Sequence, residues 1–87
     1  VSAEEIVEDM NNLRHMLGAR STDKKRDWGF RNYFNCGPES SDYPSLERLL
    51  TVGLVRRGHR DYYHATYAGC RAVGLNEKET QRALNDD

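Results

Sequence analysis

The sequence predicts one mainly α domain carrying a short two-stranded β-hairpin, and three observations lead there. Ile6, Met10, Leu13 and Leu17 recur at steps of four, three and four, a single apolar stripe at helical period. Leu46, Leu49, Leu50 and Gly53 form a second such face. Between Leu54 and Ala65 the period changes to alternation around a basic, glycine-containing turn, the pattern of a hairpin half-buried on one side.

The first helix should begin at Ser2-Ala3-Glu4-Glu5. There a Ser hydroxyl can take an orphan amide while the Glu three residues on reaches back, and Gly18 can supply the left-handed stop. The acidic residues of its first two turns suit the positive end of the helix dipole, so a structural role accounts for them. Residues 19–27 have no apolar period and read as a solvated connection that includes Lys24, Lys25 and Arg26. DWGFRNYFN follows, and Phe30, Tyr33 and Phe34 share one face at 100° per residue. A short helix is expected here, with the aromatic group in the core, although Gly29 costs such a helix about 1 kcal/mol.

Residues 36–43, CGPESSDY, are a turn-rich linker. Pro44 suits the first turn of the helix that carries Leu46, and Gly53 ends it. Glu47, Arg48, Thr51 and Val52 fall on its opposite, outward face. The hairpin is then Leu54–Arg57, a turn at Gly58-His59-Arg60-Asp61, and Tyr62–Ala65, with Tyr63 and Ala65 inward. Thr66 caps a helix that stops at Gly74. Asn76-Glu77-Lys78-Glu79 repeats the capping logic and opens a last, mostly polar helix to about Leu84. The expected domain is 1–87 with its core at about 2–84.

At 87 residues, 31% charged and with a mean hydropathy of −0.91, the chain has room for one modest core and no second lobe. No apolar run approaches the roughly 18–20 residues of a membrane span, and VSAEEIVED is acidic where a secretory signal is basic, so a cytoplasmic protein with no membrane partner is expected. Cys36 and Cys70 lack the paired spacing of a zinc site, and His15, His59 and His64 do not supply one. Two reduced, semi-buried thiols and no metal are expected. No Gly-rich phosphate loop occurs and no nucleophile has a convergent base, so neither a cofactor nor an enzymatic activity is expected.

Net charge is −1, where simple nucleic-acid binders carry a clear positive excess. The charges are nevertheless segregated. Glu4, Glu5, Glu8 and Asp9 outnumber Arg14 in the first helix, whereas Arg20, Lys24, Lys25, Arg26 and Arg31 outnumber Asp23 and Asp27 in the next stretch. Arg48, Arg56, Arg57, Arg60 and Arg71 likewise outnumber Glu47 and Asp61 further on. One positive face is the expected result.

The stretch from Leu46 to Leu75 runs helix, strand, turn, strand, helix. With Gly53-Leu54-Val55 closing the first helix and Thr66-Tyr67-Ala68-Gly69 opening the second, it resembles the wing of winged helix-turn-helix regulators of the MarR and PadR kind. The resemblance covers about a third of the chain. It implies that the outward helix face reads a major groove and that the wing touches phosphate or minor groove. The matching positions are Arg48 and Thr51 on the helix and Arg56, Arg57, His59 and Arg60 on the wing, with Lys24, Lys25 and Arg26 adding to the electrostatic attraction. Two features depart from the family: the wing is very short, and Glu47 would repel phosphate.

Double-stranded DNA is therefore one expected partner, in the manner of a transcriptional regulator. The alternative is a winged-helix module that binds a protein without DNA, and the chain also looks like small accessory proteins of phages and prophages. Arginines on a chain this charged also make an ordinary solvated face. Trp28, Tyr43, Tyr62 and Tyr67, where exposed, would anchor a protein interface.

Overall fold

The computed structural model describes residues 2–19, 24 and 28–85. These form α1 (Ala3–Leu17), β1 (Phe34–Asn35), α2 (Tyr43–Thr51), β2 (Val55–Arg57), β3 (Tyr62–Ala65), α3 (Tyr67–Ala72) and α4 (Glu77–Asn85). The strands make one antiparallel sheet in the order β1-β3-β2. Among the described residues no helix is long and apolar enough to cross a membrane.

Local chemistry sets the helix ends. The Ser2 Oγ accepts from the Glu5 amide at 3.1 Å while Glu5 Oε1 accepts from the Ser2 amide at 2.9 Å, the reciprocal cap its sequence calls for. Gly18, at φ 65°, ends α1. Asn76 and Glu79 form the same reciprocal pair ahead of α4, at 2.8 and 2.9 Å. Thr66 caps α3 by accepting from the Gly69 amide, and its hydroxyl also donates to the Gly53 carbonyl at 2.7 Å, joining α3 to the end of α2.

In the hairpin Val55 lies opposite Ala65 and Arg57 opposite Tyr63. Tyr63 and Ala65 are buried, as the alternation requires, and Val55 joins them. With Leu13, Met16 and Leu17 of α1, Leu46 and Leu49 of α2, and Cys70, Leu75 and Ala83 behind, they make up most of the core. Cys36 and Cys70 are buried and are not joined in a disulfide.

The DWGFRNYFN segment departs from expectation. It is a turn followed by a strand, so the sheet has three strands instead of two. Gly29, at φ 81°, turns the chain back beneath the last carbonyls of α1. Those carbonyls take its amides: Gly29 N–H donates to Leu17 O at 2.9 Å and Tyr33 N–H to Met16 O at 3.3 Å. Two of the segment's backbone donors are thus engaged by another element and are lost to a local helix. Asn32, fully buried, accepts from the Ala65 amide at 2.6 Å and donates to the Ala65 carbonyl at 3.1 Å. Its carboxamide completes the edge of β3 where β1 stops. As a result Phe30 and Tyr33 are not core residues but stand 55% and 46% exposed, while Trp28 and Phe34 are half-buried against the core.

Candidate interaction surface

Arg48 was expected on the solvent face of its helix, and its position is a correction. It lies half-buried in the seam between α1 and α2, facing a carboxylate stripe that α1 presents through Glu5, Glu8 and Asp9. Its Nε and Nη2 donate to the two oxygens of Asp9 at 3.0 and 2.8 Å, Nη1 donates to Glu5 at 3.2 Å, and Nη2 also reaches Glu8 at 2.9 Å. Below the guanidinium, the Ser45 hydroxyl donates to Asp9 at 2.6 Å and accepts from the Asn12 amide at 2.9 Å. Burial pushes the Asp9 carboxyl up, but the hydrogen bonds from Arg48 and Ser45, with the Arg48 charge, outweigh it and hold Asp9 below its ordinary value. For Glu5 the Ser2 amide, then Arg48, acts in the same direction. Hydrogen bonding to Asp9 in turn raises Arg48, and its proton is held more tightly than in water.

Arg57 is also engaged by an acid. Its Nη2 donates to Glu47 Oε2 at 2.7 Å, and the Tyr63 hydroxyl donates to the same oxygen at 2.9 Å. Burial and that bond to Glu47 push the Tyr63 phenol up to about 12. Glu47, expected to face solvent and repel phosphate, instead holds the hairpin to α2. Thr51 is exposed, its hydroxyl turned back to the Glu47 carbonyl at 2.9 Å. Arg56, His59 and Arg60 are exposed along β2 and the hairpin turn, and Lys24 is exposed. Lys25 and Arg26 lie outside the described residues. Of the arginines expected to make a continuous positive face, Arg48 is drawn into the seam while Arg57 stays exposed, and each is paired with carboxylate.

Beside the Arg48 cluster the surface changes character. Toward the start of α1 its apolar stripe comes to the surface, leaving Ile6 53% exposed, and at the far end of α2 Val52 is 67% exposed. Between them runs a mainly apolar groove of about 440 Å3 lined by Ile6, Met10, Leu49, Thr51, Val52 and Leu54 together with Asp9 and Arg48. A second, shallower cleft lies on the outer face of the sheet between Tyr33, His59, Tyr62 and His64. Tyr33 and Tyr62 meet edge-on there at 6.2 Å, and the Arg31 guanidinium sits 5.5 Å from the Tyr33 ring centre. Among the described residues no group of three or more His, Cys, Asp or Glu is placed to hold a metal ion.

Sequence reasoning missed Asp9, Ser45 and Asn12 as members of the cluster and the groove beside it. The signal was present: Glu5, Glu8, Asp9 and Asn12 share one helical face, a polar stripe too regular for a helix dipole to require. No family model, curated protein or solved structure matches the chain.

The seam makes stability pH-dependent. Because Asp9 and Glu5 are held below their ordinary pKa values, their contribution is fully present above those values and is lost as the pH falls through the folded-state ones. Asp9→Ala is expected to cost about 1–3 kcal/mol at neutral pH, because Arg48 keeps Glu5 and Glu8 but the buried Ser45 hydroxyl loses the carboxylate it donates to. The same variant should flatten the decline in stability below about pH 4, where aspartate titrates. Urea unfolding at a series of pH values measures both, and parallel curves for the two proteins would remove the seam from the acid response.

Proposed function

We propose that the chain is a protein-interaction module which binds its partner through the α1–α2 groove. The observation that carries this reading is the groove itself: exposed Ile6 and Val52 flank a contiguous apolar floor on a chain whose other large aliphatic side chains are mostly buried. An apolar concavity rimmed by polar groups is the ordinary form of a recognition site on a soluble domain. The electrostatics point the same way. Arg48 and Arg57, the two cations best placed for a duplex, are each held by acids that phosphate would have to displace.

From α2 onward the order of elements is the one that the winged-helix resemblance implies. α2 passes through Val52, Gly53 and Leu54 directly into the β2–β3 hairpin, and Thr66 opens the next helix. The helix expected before α2 is replaced by turn and strand, which removes the partner helix of a helix-turn-helix pair. The second reading, a small DNA-binding regulator, is favoured by exposed Arg56, His59 and Arg60 on the hairpin.

One pair of measurements separates the two. In a low-salt gel shift with random duplex, the protein-binding reading expects no retarded complex, whereas the DNA reading expects one that weakens steeply with salt and on Arg56→Ala. In affinity capture from the source cell, the protein-binding reading expects a specific protein that the wild type retains and Val52→Asp loses, and that rebinds when purified. Val52 is largely exposed, so the substitution leaves the fold intact while placing a charge in the groove. Salt-sensitive duplex binding indifferent to Val52→Asp would decide for DNA.

A further inference from the structure

We infer that the outer face of the sheet is a second binding site, independent of the groove, which takes a single strand of RNA by stacking bases on its tyrosines. Alternation along β3 buries Tyr63 and Ala65 and turns Tyr62 and His64 outward. With Tyr33 and His59 these line an open cleft of about 480 Å3, a lining of flat rings that shares no residue with the α1–α2 groove. The rings are held before any ligand arrives. Tyr62 meets Tyr33 edge-on at 6.2 Å, the Arg31 guanidinium lies 5.5 Å from the Tyr33 ring centre, and His64 Nδ1 donates to the Asn32 carbonyl at 2.7 Å, since a carbonyl can only accept. Flat surfaces set in place in this way suit unpaired bases, whose faces are open, and not a duplex, whose base faces are stacked on one another.

The charge at the cleft has the sign that a phosphate strand needs. Arg31 donates to the neutral His15 carbonyl from Nε and Nη2, at 3.2 and 2.5 Å, and among the described residues no carboxylate pairs with it. Arg56 of β2 stands opposite His64 in the register, on the same outer face, and is exposed. The two arginines thus flank the rings, one beside the β1 edge of the sheet and one on the β2 edge. Asp61, the acid of the hairpin turn, carries its carboxylate toward Gly37, where Glu39 also lies, and neither acid lines the cleft. A cationic ligand would meet Arg31 on the Tyr33 ring, whereas a phosphate beside a stacked base is attracted to it. The polar tips of the rings select RNA over DNA. Among the described residues no partner holds the Tyr33 or Tyr62 hydroxyl or the His59 ring, and a ribose 2′-hydroxyl can both donate to and accept from such groups.

Fluorescence anisotropy with short labelled strands of mixed sequence tests this, using RNA, DNA of the same sequence, and the RNA annealed to its complement. The single RNA strand is expected to bind tightest and the duplex least. Tyr62→Ala should weaken RNA binding about five- to 150-fold, the worth of one base stacked on an aromatic ring. Tyr62→Phe should keep the stacking face and most of the affinity while narrowing the preference over DNA. His59→Ala, in the exposed turn, should weaken binding too, and it carries the test where Tyr62→Ala does not fold by circular dichroism. Arg31→Gln should make the salt dependence shallower, by about 0.7 in the slope of log K against log salt for one phosphate contact on a single strand. Val52→Asp should leave RNA binding unchanged, so a failure here and a failure of the groove reading are separate results. No binding of the RNA strand at low salt, binding indifferent to Tyr62→Ala and His59→Ala in folded protein, or a duplex bound as tightly as the single strand would overturn the proposal. DNA bound as tightly as RNA would overturn the choice of RNA.

Discussion

Asn32→Ala is expected to lower stability by about 3–5 kcal/mol, because it strips buried backbone groups of their partners. The Asn32 carboxamide accepts from the Ala65 amide at 2.6 Å and donates to the Ala65 carbonyl at 3.1 Å and to the Ala83 carbonyl at 3.4 Å. Asn32 and both its partner residues are almost wholly buried, so water cannot replace the lost bonds without opening the core. Alanine also leaves a small cavity. Against a total of about 5–15 kcal/mol for a domain, a loss of that size is a large fraction. At about 4–8 °C per kcal/mol for a domain of this length, the midpoint of thermal unfolding should fall by about 12–40 °C. Asn32→Asp should not rescue it, since the carboxylate keeps the acceptor but loses the donor and adds a buried charge. Unfolding followed by circular dichroism gives the answer, and a fall of only a few degrees would mean that the carboxamide does not hold β3 to α4.

Asn32 also marks where the sequence stops being legible. Helix limits and the inward face of the hairpin follow from chemistry within a few residues: Ser2 with Glu5, Thr66 with Gly69, Asn76 with Glu79, and the alternation that turns Tyr63 and Ala65 inward. Each of these is a local rule, and each can be read in place. The strand at Phe34 and Asn35 has no local cause. It forms because the end of α1 and the edge of β3 offer acceptors and donors to a chain that a helix-period pattern would otherwise have claimed.

The same distinction governs the candidate site. Arg48 falls on the polar side of α2 by sequence periodicity, which is correct as far as it goes. Periodicity cannot say that α1 lies alongside with three acids in register, since Asp9 and Arg48 are bonded across a separation of 39 residues. Charge counted along the chain suggested a positive face, and that count cannot foresee that Arg48 and Arg57 pair with carboxylates across the fold. What one pattern did contain was the groove: the apolar stripe of α1 reaches Ile6, one turn further than its neighbours can cover.

Gly69→Ala is expected to cost about 2–3 kcal/mol, although alanine is the better helix former by about 1 kcal/mol. A Cβ built on Gly69 would lie 2.0 Å from the Leu54 carbonyl oxygen and 3.0 Å from its carbon, both backbone atoms that cannot rotate away. That carbonyl already accepts the Thr66 amide at 3.1 Å, and the Thr66 hydroxyl is bonded to Gly53, so moving α3 aside strains both bonds that tie it to the corner between α2 and β2. Leu54 and Val52 belong to that corner and line the groove. The substitution should therefore disturb partner binding as well as stability, from a position outside the groove lining. Val52→Asp, by contrast, should abolish binding with little change in unfolding. Measuring urea unfolding and capture for both variants separates a displaced corner from a blocked surface, and an unchanged or raised stability for Gly69→Ala would mean that the corner yields easily.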